Sequence, residues 1–309
     1  MFSIIIPLYN KAKHIGDTIS SVLNQSFKSF EIIVVNNNSE DNGVEIVKGI
    51  DDSRIIIVNE LNQGVSYARN FGVKVAKYDW VCFLDADDIW EKDNLLMFSQ
   101  EIFQFSELDV VGNLYKIIEP NGVSRTCKKN PLNYFDGRYK LNNFFDDFLF
   151  GDMPLNMSSF CLSKDVFNKI GGFNTDIRIG EDTLFLMHLF LSFKIHISNY
   201  VGSTYNRQAT NRSNNANAFK LELPVLKLFQ DIYKNETKLH LYEAEFKSFI
   251  AKHIFACIVA NLKAGDLATA RRFYRDSRVF NYPFKFKLLA AFFLTFIPPF
   301  LNKILLRLQ

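Results

Sequence analysis

Four short apolar runs in the first third of the chain fix its class of fold. They are Ser3–Ile6, Glu31–Val35, Arg54–Val58 and Trp80–Leu84. Between them the apolar period changes. Ile15, Ile19, Val22 and Leu23 share one helical face, and Val65, Ala68, Gly72, Val75 and Ala76 share another. A strand that is apolar along its length is covered on both faces, and a parallel sheet with crossover helices provides that cover. Ligands of such sheets bind beyond the carboxyl ends of the strands, so the polar residues that close each run are where chemistry is expected.

Those closing residues are Pro7-Leu8-Tyr9-Asn10, Asn36-Asn37-Asn38-Ser39 and Asp85-Ala86-Asp87-Asp88, with Asn62-Gln63-Gly64 soon after the third run. Asp85, Asp87 and Asp88 form the sharpest cluster. Neighbouring carboxylates repel one another and hold protons more tightly unless a cation compensates. A hard divalent ion, Mn²⁺ or Mg²⁺, would do so and could bridge a diphosphate. The plain alternative is a solvated turn in which Asp88 or Asp93 caps a helix starting near Glu91. Beside three other polar strand ends, the metal reading is favoured.

Further along, Leu108–Gly112 and Leu114–Glu119 read as two strands with a turn at Pro120-Asn121-Gly122. Residues 128–151 carry no clear period. A strand is expected at Ser159–Ser163, a helix at Glu181–Phe193, a strand at Lys194–Ser198 and a loop over Asn206–Asn217. From Phe219 the pattern is helical, broken at Gly265-Asp266 and Tyr282-Pro283. Gly171-Gly172 reads as a helix C-cap and tight turn. Glu181 and Asp182 open an apolar helix, where the helix dipole favours a carboxylate; either could also act as a general base.

At 309 residues the chain can bury a full core, and a net charge of +3 is too small to suggest a nucleic-acid partner. Cys82, Cys127, Cys161 and Cys257 form no CxxC pair, so neither a disulfide framework nor a zinc site is expected, and a reducing compartment fits. Met1–Pro7 lacks the basic start and small-residue cleavage site of a signal peptide.

Taken in order, these segments resemble the family-2 glycosyltransferases, the inverting group with the fold called GT-A. The residues that carry the resemblance are Ser3–Asn10, Glu31–Ser39, Asn62–Asn70 and Phe83–Trp90, followed by Gly171-Gly172-Phe173-Asn174 and Gly180-Glu181-Asp182. They span roughly the first two thirds of the chain. The resemblance implies an α/β fold, a GT-A-like, Rossmann-related mixed sheet flanked by helices, with a C-terminal helical extension. It implies a glycosyltransferase domain over 1–218, divided into a nucleotide-binding half (1–112) and an acceptor-binding half (113–218), with a helical region over 219–309.

By position, Pro7 and Tyr9 would line the base pocket, with Tyr9 stacking on uracil. Asn36 and Asn37 stand where the family usually carries at least one Asp that holds the base; an amide can also pair with a pyrimidine edge. Arg69 would lie near the diphosphate, its plain alternative being a surface ion pair. Asp85 would hold the ribose or sugar, and Asp87, with Asp88, the metal. Asp182 is favoured as general base, with Glu181 bonding the acceptor, although the two could exchange roles. Arg207 would help hold the diphosphate.

The reaction implied is transfer of a hexose from a nucleoside diphosphate sugar, a UDP-sugar, to a hydroxyl of a glycan or lipid-linked glycan. The alternatives are an impaired nucleotide-sugar-binding scaffold and a sugar nucleotidyltransferase. A dinucleotide oxidoreductase would need a glycine fingerprint after the first strand, which Pro7-Leu8-Tyr9-Asn10 is not. Beyond Lys285 an apolar, Phe-rich stretch with basic flanks is interrupted by Pro298-Pro299. It suits an interfacial anchor on the inner face of the plasma membrane better than a span. Packing on the core or on a second copy in a homo-oligomer is the alternative.

Overall fold

A computed structural model of the chain describes residues 1–105, 108–128, 134, 135, 138–140, 144–209, 237–281 and 283–294. Two compact units form, Met1–Phe144 with Gly151–Asn211, and Phe145–Phe150 with Arg212–Gln309.

The first unit is built on one mixed sheet. Its strands are β1 (Phe2–Leu8), β2 (Phe30–Asn36), β3 (Ile55–Asn59), β4 (Trp80–Phe83), β5 (Ile89–Trp90), β6 (Val110–Ile118), β7 (Ser124–Thr126), β8 (Tyr134–Phe135), β9 (Arg138–Lys140), β10 (Phe160–Ser163) and β11 (Ile195–Asn206). The helices are α1 (Ala12–Leu23), α2 (Gly43–Lys48), α3 (Val65–Val75), α4 (Asn94–Gln104), α6 (Lys164–Ile170) and α7 (Glu181–Ser192), while α5 (Phe144–Phe150), between α4 and α6 in the chain, belongs from Phe145 to the second unit.

The strand order is β3-β2-β1-β4-β10-β6-β11-β9-β8, with β5 on β11 and β7 on β6. The first four strands are parallel, β10 runs antiparallel between β4 and β6, and β11 is parallel to β6. The chain builds outward from β1 to β3 and then crosses to place β4 on the other side of β1. The order reverses there, and the carboxyl ends of β1 and β4 flank the kind of switch point at which such sheets bind ligands. Tyr9 follows β1, and Asp85 and Asp87 follow β4.

Both sheet faces are covered, as the apolar runs require. Ile4, Ile6, Ile32 and Val34 pack with Ile15, Ile19 and Val22 of α1. On the other face Phe83 gathers Phe160, Phe167, Phe173 and Phe185, with ring centroids 5.2–6.4 Å away, and Phe173 stacks on Phe185 at 4.1 Å. This aromatic cluster seats α7 against the end of β4. Gly171 ends α6 in the left-handed region, as the glycine pair suggested.

Three local expectations differ. The residues read as two strands form the single strand β6. The strand expected at Lys194–Ser198 continues to Asn206, with register shifts around Val201. Residues near Glu91 do not open a helix: Ile89-Trp90 pair with Ser203 and Thr204, and Glu91 N donates to Gly202 O at 2.9 Å. Helix α4 then starts at Asn94 with no side-chain cap from Asp93.

In the second unit, α8 (Glu243–Ala264) ends at a left-handed Gly265, and α9 (Leu267–Tyr274) is capped by the Asp266 carboxylate. Helix α10 spans Lys285–Leu294. Phe145 meets Phe246 and Phe249 edge-on at 5.4 and 5.3 Å. The interrupted stretch from Thr295 and the loop from residue 210 lie outside the described residues. No helix among the described residues is long and apolar enough to cross a membrane.

Helix α3 meets β1 closely at Gly72, where a Cβ would come 2.3 Å from Ile5 Cγ2. Alanine is the better helix former by about 1 kcal/mol, yet overpacking costs about 1–3 kcal/mol. Gly72→Ala is therefore expected to lower the urea midpoint, and Ile5→Ala in the same chain to restore part of the loss. A Gly72→Ala protein as stable as its parent would show that the contact relaxes freely.

Candidate active site

The loops after β1 and β2 are locked together beside this switch point. Asn10 takes a left-handed φ of 51°, and its side chain accepts from Glu40 N at 2.8 Å. Ser39 Oγ accepts from Asn10 N and donates to Leu8 O, each at 3.2 Å. Pro7 is half-buried in β1, and Tyr9 presents an exposed ring just beyond it.

Asn36 and Asn37 end β2 but differ in role. Asn36 Nδ2 donates to Asn59 Oδ1 at 2.9 Å, while its Oδ1 accepts from Ser39 N at 3.1 Å. Asn37 is buried; its amide donates to Glu60 O and Asn62 O at 2.9 and 2.7 Å and accepts from Gly64 N at 2.7 Å. Those three bonds fix the turn that launches α3. Both amide donors of Asn37 are thus committed to the protein, and its Oδ1 keeps one lone pair.

At the end of β4 the three aspartates separate. Asp85 Oδ1 accepts from Arg69 Nη2 at 2.8 Å. Asp87 Oδ2 accepts from Lys11 Nζ at 2.6 Å, and both side chains are largely buried. Asp88 is buried, its Oδ2 accepting from Ser158 Oγ at 2.6 Å and its Oδ1 from Asn206 N at 3.0 Å. Its carbonyl accepts from Thr18 Oγ1 at 2.9 Å. Asp88 thus ties β11, the turn before β10 and α1 to the acidic loop. Each of its oxygens accepts one hydrogen bond from the protein and keeps a further lone pair. Burial, followed by the charges of Asp85 and Asp87, holds its carboxyl well above the usual range. Burial also raises Asp87, and the Lys11 ammonium opposes that rise.

Arg69 is buried on α3 with 3% exposure. Besides Asp85 it reaches Glu181 Oε1 at 3.3 Å, and its guanidinium lies 5.1 Å from the centre of the Phe173 ring. It is not a surface ion pair but the link between the acidic strand end and the head of α7. Its Nε has no hydrogen-bond partner among the described residues. Burial works against its charge, but Asp85 and Glu181 outweigh it and raise its pKa. Asn70 brackets the same corner, donating to Phe173 O and accepting from Phe173 N, both at 2.9 Å.

Glu181 and Asp182 follow a left-handed Gly180 at the start of α7. Burial pushes Glu181 up to about 7, Asp182 adds to the rise and Arg69 opposes it. Asp182 is half-buried, and its Oδ1 accepts from Thr183 N at 2.6 Å. Arg207 lies at the end of β11, next to Asn206, and Nη1 donates to Glu119 Oε2 at 2.8 Å. Glu119 also binds Arg125 at 2.9 Å. The structure therefore joins Asp85, Arg69 and Glu181 directly, brings Lys11 onto Asp87 and holds Arg207 on a separate acid.

Sequence reasoning missed Lys11, Ser158 and Asn206. Lys11 follows β1 and could have been placed at the same sheet edge; Ser158 and Asn206 carried no such signal. Asp85 and Asp87 each keep one carboxylate oxygen without a partner among the described residues. That donor set fits a hard divalent ion, which is held by one or two carboxylates plus phosphate and water. No cluster of three or more His, Cys, Asp or Glu side chains among the described residues forms a protein-only cage.

Residues 3–171 match the family model described as Glycosyl transferase family 2. Glycosyltransferase GlyG of Streptococcus pneumoniae is 32% identical over 126 residues, 40% of this chain and 42% of its own length. The Escherichia coli UDP-Glc:alpha-D-GlcNAc-diphosphoundecaprenol beta-1,3-glucosyltransferase WfgD is 37% identical over 124 residues, 40% of this chain and 49% of its own. The chain thus covers less than half the length of these two relatives. The crystal structure of S. aureus TarS 1-349 in complex with UDP-GlcNAc superposes with a TM-score of 0.69 at 18% identity, covering 95% of this chain and 88% of that one. The GT-A-like α/β fold implied by the motifs is the fold observed.

Because Glu181 is raised from 4.5 to about 7, the native state holds a proton that the unfolded chain releases. The stability linked to that proton is full below about pH 4.5 and is lost as pH rises through about 7. Urea midpoints of the parent should therefore fall between pH 5 and 8, and Glu181→Gln should flatten the fall. Asp87 and Asp88, shifted the same way, leave a remainder. Identical slopes in parent and variant would mean that Glu181 ionises normally.

Proposed function

The chain belongs to glycosyl transferase family 2, and from that premise we propose that it transfers a hexose, with inversion, from a UDP-sugar to a hydroxyl of a glycan or lipid-linked glycan. One observation carries this reading: Arg69 joins Asp85 at the end of β4 to Glu181 at the head of α7. A donor-side carboxylate and an acceptor-side carboxylate thereby share one guanidinium at the switch point of the sheet. The names of relatives support the substrate classes, a UDP-Glc donor and a diphosphoundecaprenol-linked acceptor for WfgD, and bound UDP-GlcNAc for TarS.

The roles follow from position and chemistry. Tyr9 stacks on the base with Pro7 beside it, and Asn36 meets the base edge. Asp85 holds the ribose or sugar, and Arg69 offers a guanidinium donor not engaged by Asp85 or Glu181 to the diphosphate. Arg207, which Glu119 holds through Nη1, would help hold the diphosphate. Asp87 would hold Mn²⁺ or Mg²⁺. When bound, that ion would offset the charge growing on the leaving diphosphate.

Asp182 accepts the proton of the attacking hydroxyl as its oxygen bonds to the anomeric carbon. The bond from that carbon to the diphosphate breaks, and the nucleoside diphosphate leaves with the electron pair. Attack from the face opposite the leaving group inverts the centre. Glu181 bonds the acceptor and sets its orientation through Arg69.

A panel of nucleotide sugars screened by thermal stabilisation would identify the donor. With that donor, Asp87→Asn is expected to lose Mn²⁺-dependent binding in calorimetry. Asp182→Asn is expected to keep donor affinity and lose turnover by about two to four orders of magnitude. Parent-like, metal-dependent donor binding by Asp87→Asn would remove Asp87 from the metal site. Parent-like turnover by Asp182→Asn, together with a dead Glu181→Gln, would transfer the base role to Glu181.

A lipid-linked acceptor requires access to a membrane, and we assign that contact to the residues from about Lys285 onward. On α10, Lys285, Lys287 and Leu289 are exposed, as is Phe284 just before the helix. Complete burial of a Leu or Phe side chain contributes about 1.5–3 kcal/mol, so partial insertion of several suffices for peripheral binding. The full chain should float with anionic vesicles and do so less in high salt, whereas a chain ending at Tyr282 should not float. Equal flotation of the two would place the membrane contact elsewhere.

A further inference from the structure

The Lys11–Asp87 pair is not explained by the roles assigned above. Lys11 lies in the loop between β1 and α1, and its ammonium is 2.6 Å from Asp87 Oδ2, with side-chain exposures of only 12% and 13%. The pair joins two strand ends that are 76 residues apart in sequence. Lys11 occupies the N-cap position of α1, where an ammonium, having no acceptor, cannot cap the exposed N–H groups. A surface pair at this spacing would contribute little. A largely dehydrated pair next to Asp85 is a different matter, because the lysine is the nearest cation to a carboxylate assigned to a metal.

Two cations cannot share Asp87 without cost. A divalent ion placed on it would meet the Lys11 ammonium at close range in a poorly solvated corner, where like charges interact far more strongly than in water. The protein's own donors are also few: one oxygen on Asp85 and one on Asp87 lack partners among the described residues, and that of Asp85 is assigned to the ribose or sugar. Both restraints ease when a diphosphate enters. Its oxygens accept the displaced ammonium and complete the metal shell at the same time.

We infer that Lys11 is the resident counter-ion of Asp87 and makes divalent metal binding conditional on the nucleoside diphosphate. In the free protein the ammonium holds the carboxylate, and the metal binds weakly. With the diphosphate present, Lys11 moves from Asp87 to a phosphate oxygen, and the Asp87 carboxylate is left to hold the metal. Lys11 then binds the donor as well as guarding the site. The inference rests on the assignment of Asp87 as the metal ligand.

The test is Mn²⁺ binding, read from the electron paramagnetic resonance signal of the free ion, with UDP absent and then saturating. No turnover is involved. In the parent, UDP should tighten Mn²⁺ binding strongly. In Lys11→Met, Mn²⁺ alone should bind more tightly than to the parent, by a factor within the usual range for coupled sites of about 5–150-fold. The enhancement by UDP should shrink by a similar factor, leaving the direct metal–diphosphate attraction. UDP alone should bind this variant more weakly.

Lys11→Arg, which keeps the charge, should resemble the parent, and Lys11→Gln provides a second neutral variant should the methionine fold poorly. Neutral variants that bind Mn²⁺ alone no better than the parent would overturn the inference while leaving Asp87 as ligand. If Asp87→Asn in the parent background leaves Mn²⁺ affinity with UDP unchanged, the metal assignment and the inference fall together.

Discussion

The buried guanidinium of Arg69 is the interaction on which the site depends. It comes from α3, binds Asp85 beyond β4 and Glu181 at the start of α7, and rests over Phe173. A charge with 3% exposure is tolerated only with partners, and removing one partner of a buried pair typically costs about 3–5 kcal/mol. The three elements are therefore held in one arrangement by a bond that none of them can make alone. Asn70, the next residue, clamps the Phe173 backbone from both sides, so successive residues on α3 fix the charge and the ring beneath it.

The aromatic cluster explains why α7 can deliver a carboxylate to this point. Phe83, Phe167, Phe173 and Phe185 form a continuous apolar floor between β4, α6 and α7. Glu181 stands at the edge of that floor, where burial favours its protonated form and Arg69 favours its charged form. The two effects leave it near neutrality, whereas Asp182 remains more accessible one residue later. A left-handed Gly180 turns the chain just before the pair, so the helix can begin with both carboxylates at its head.

Much of the fold was legible in local pattern. Continuous apolar runs required a sheet covered on both faces, and the change of period located α1 and α3. The motif order suggested which strand ends meet. Contacts set by pairing between distant strands were not legible. Ile89-Trp90 become a strand only because β11 continues past Val201 to meet them. Asp88 has the same local sequence signal as Asp87, yet Ser158 and Asn206, 70 and 118 residues away, each bond one of its oxygens. Asn37 reads as a recognition residue by position and also closes the turn before α3 through the backbone of Glu60, Asn62 and Gly64. In each case residue type and spacing allowed several contacts, and long-range partners decided which of them the fold makes.

The balance of charge links these separate placements. Asp85, Asp87, Asp88, Glu181 and Asp182 face only Lys11 and Arg69 as direct cationic partners among the described residues. Burial relieves part of the excess by favouring protons on Asp87, Asp88 and Glu181. A nucleoside diphosphate arriving alone would add negative charge to a corner that already carries an excess of it. Arriving with a divalent ion it adds little net charge, and it gives Lys11 and Arg69 oxygens to bind that are not carboxylates. On the proposed reading, the excess of acid disfavours a bare diphosphate, while the Lys11 ammonium on Asp87 is what stands against a bare divalent ion. Preference for the two together would then rest on that one lysine set against an otherwise acidic strand end.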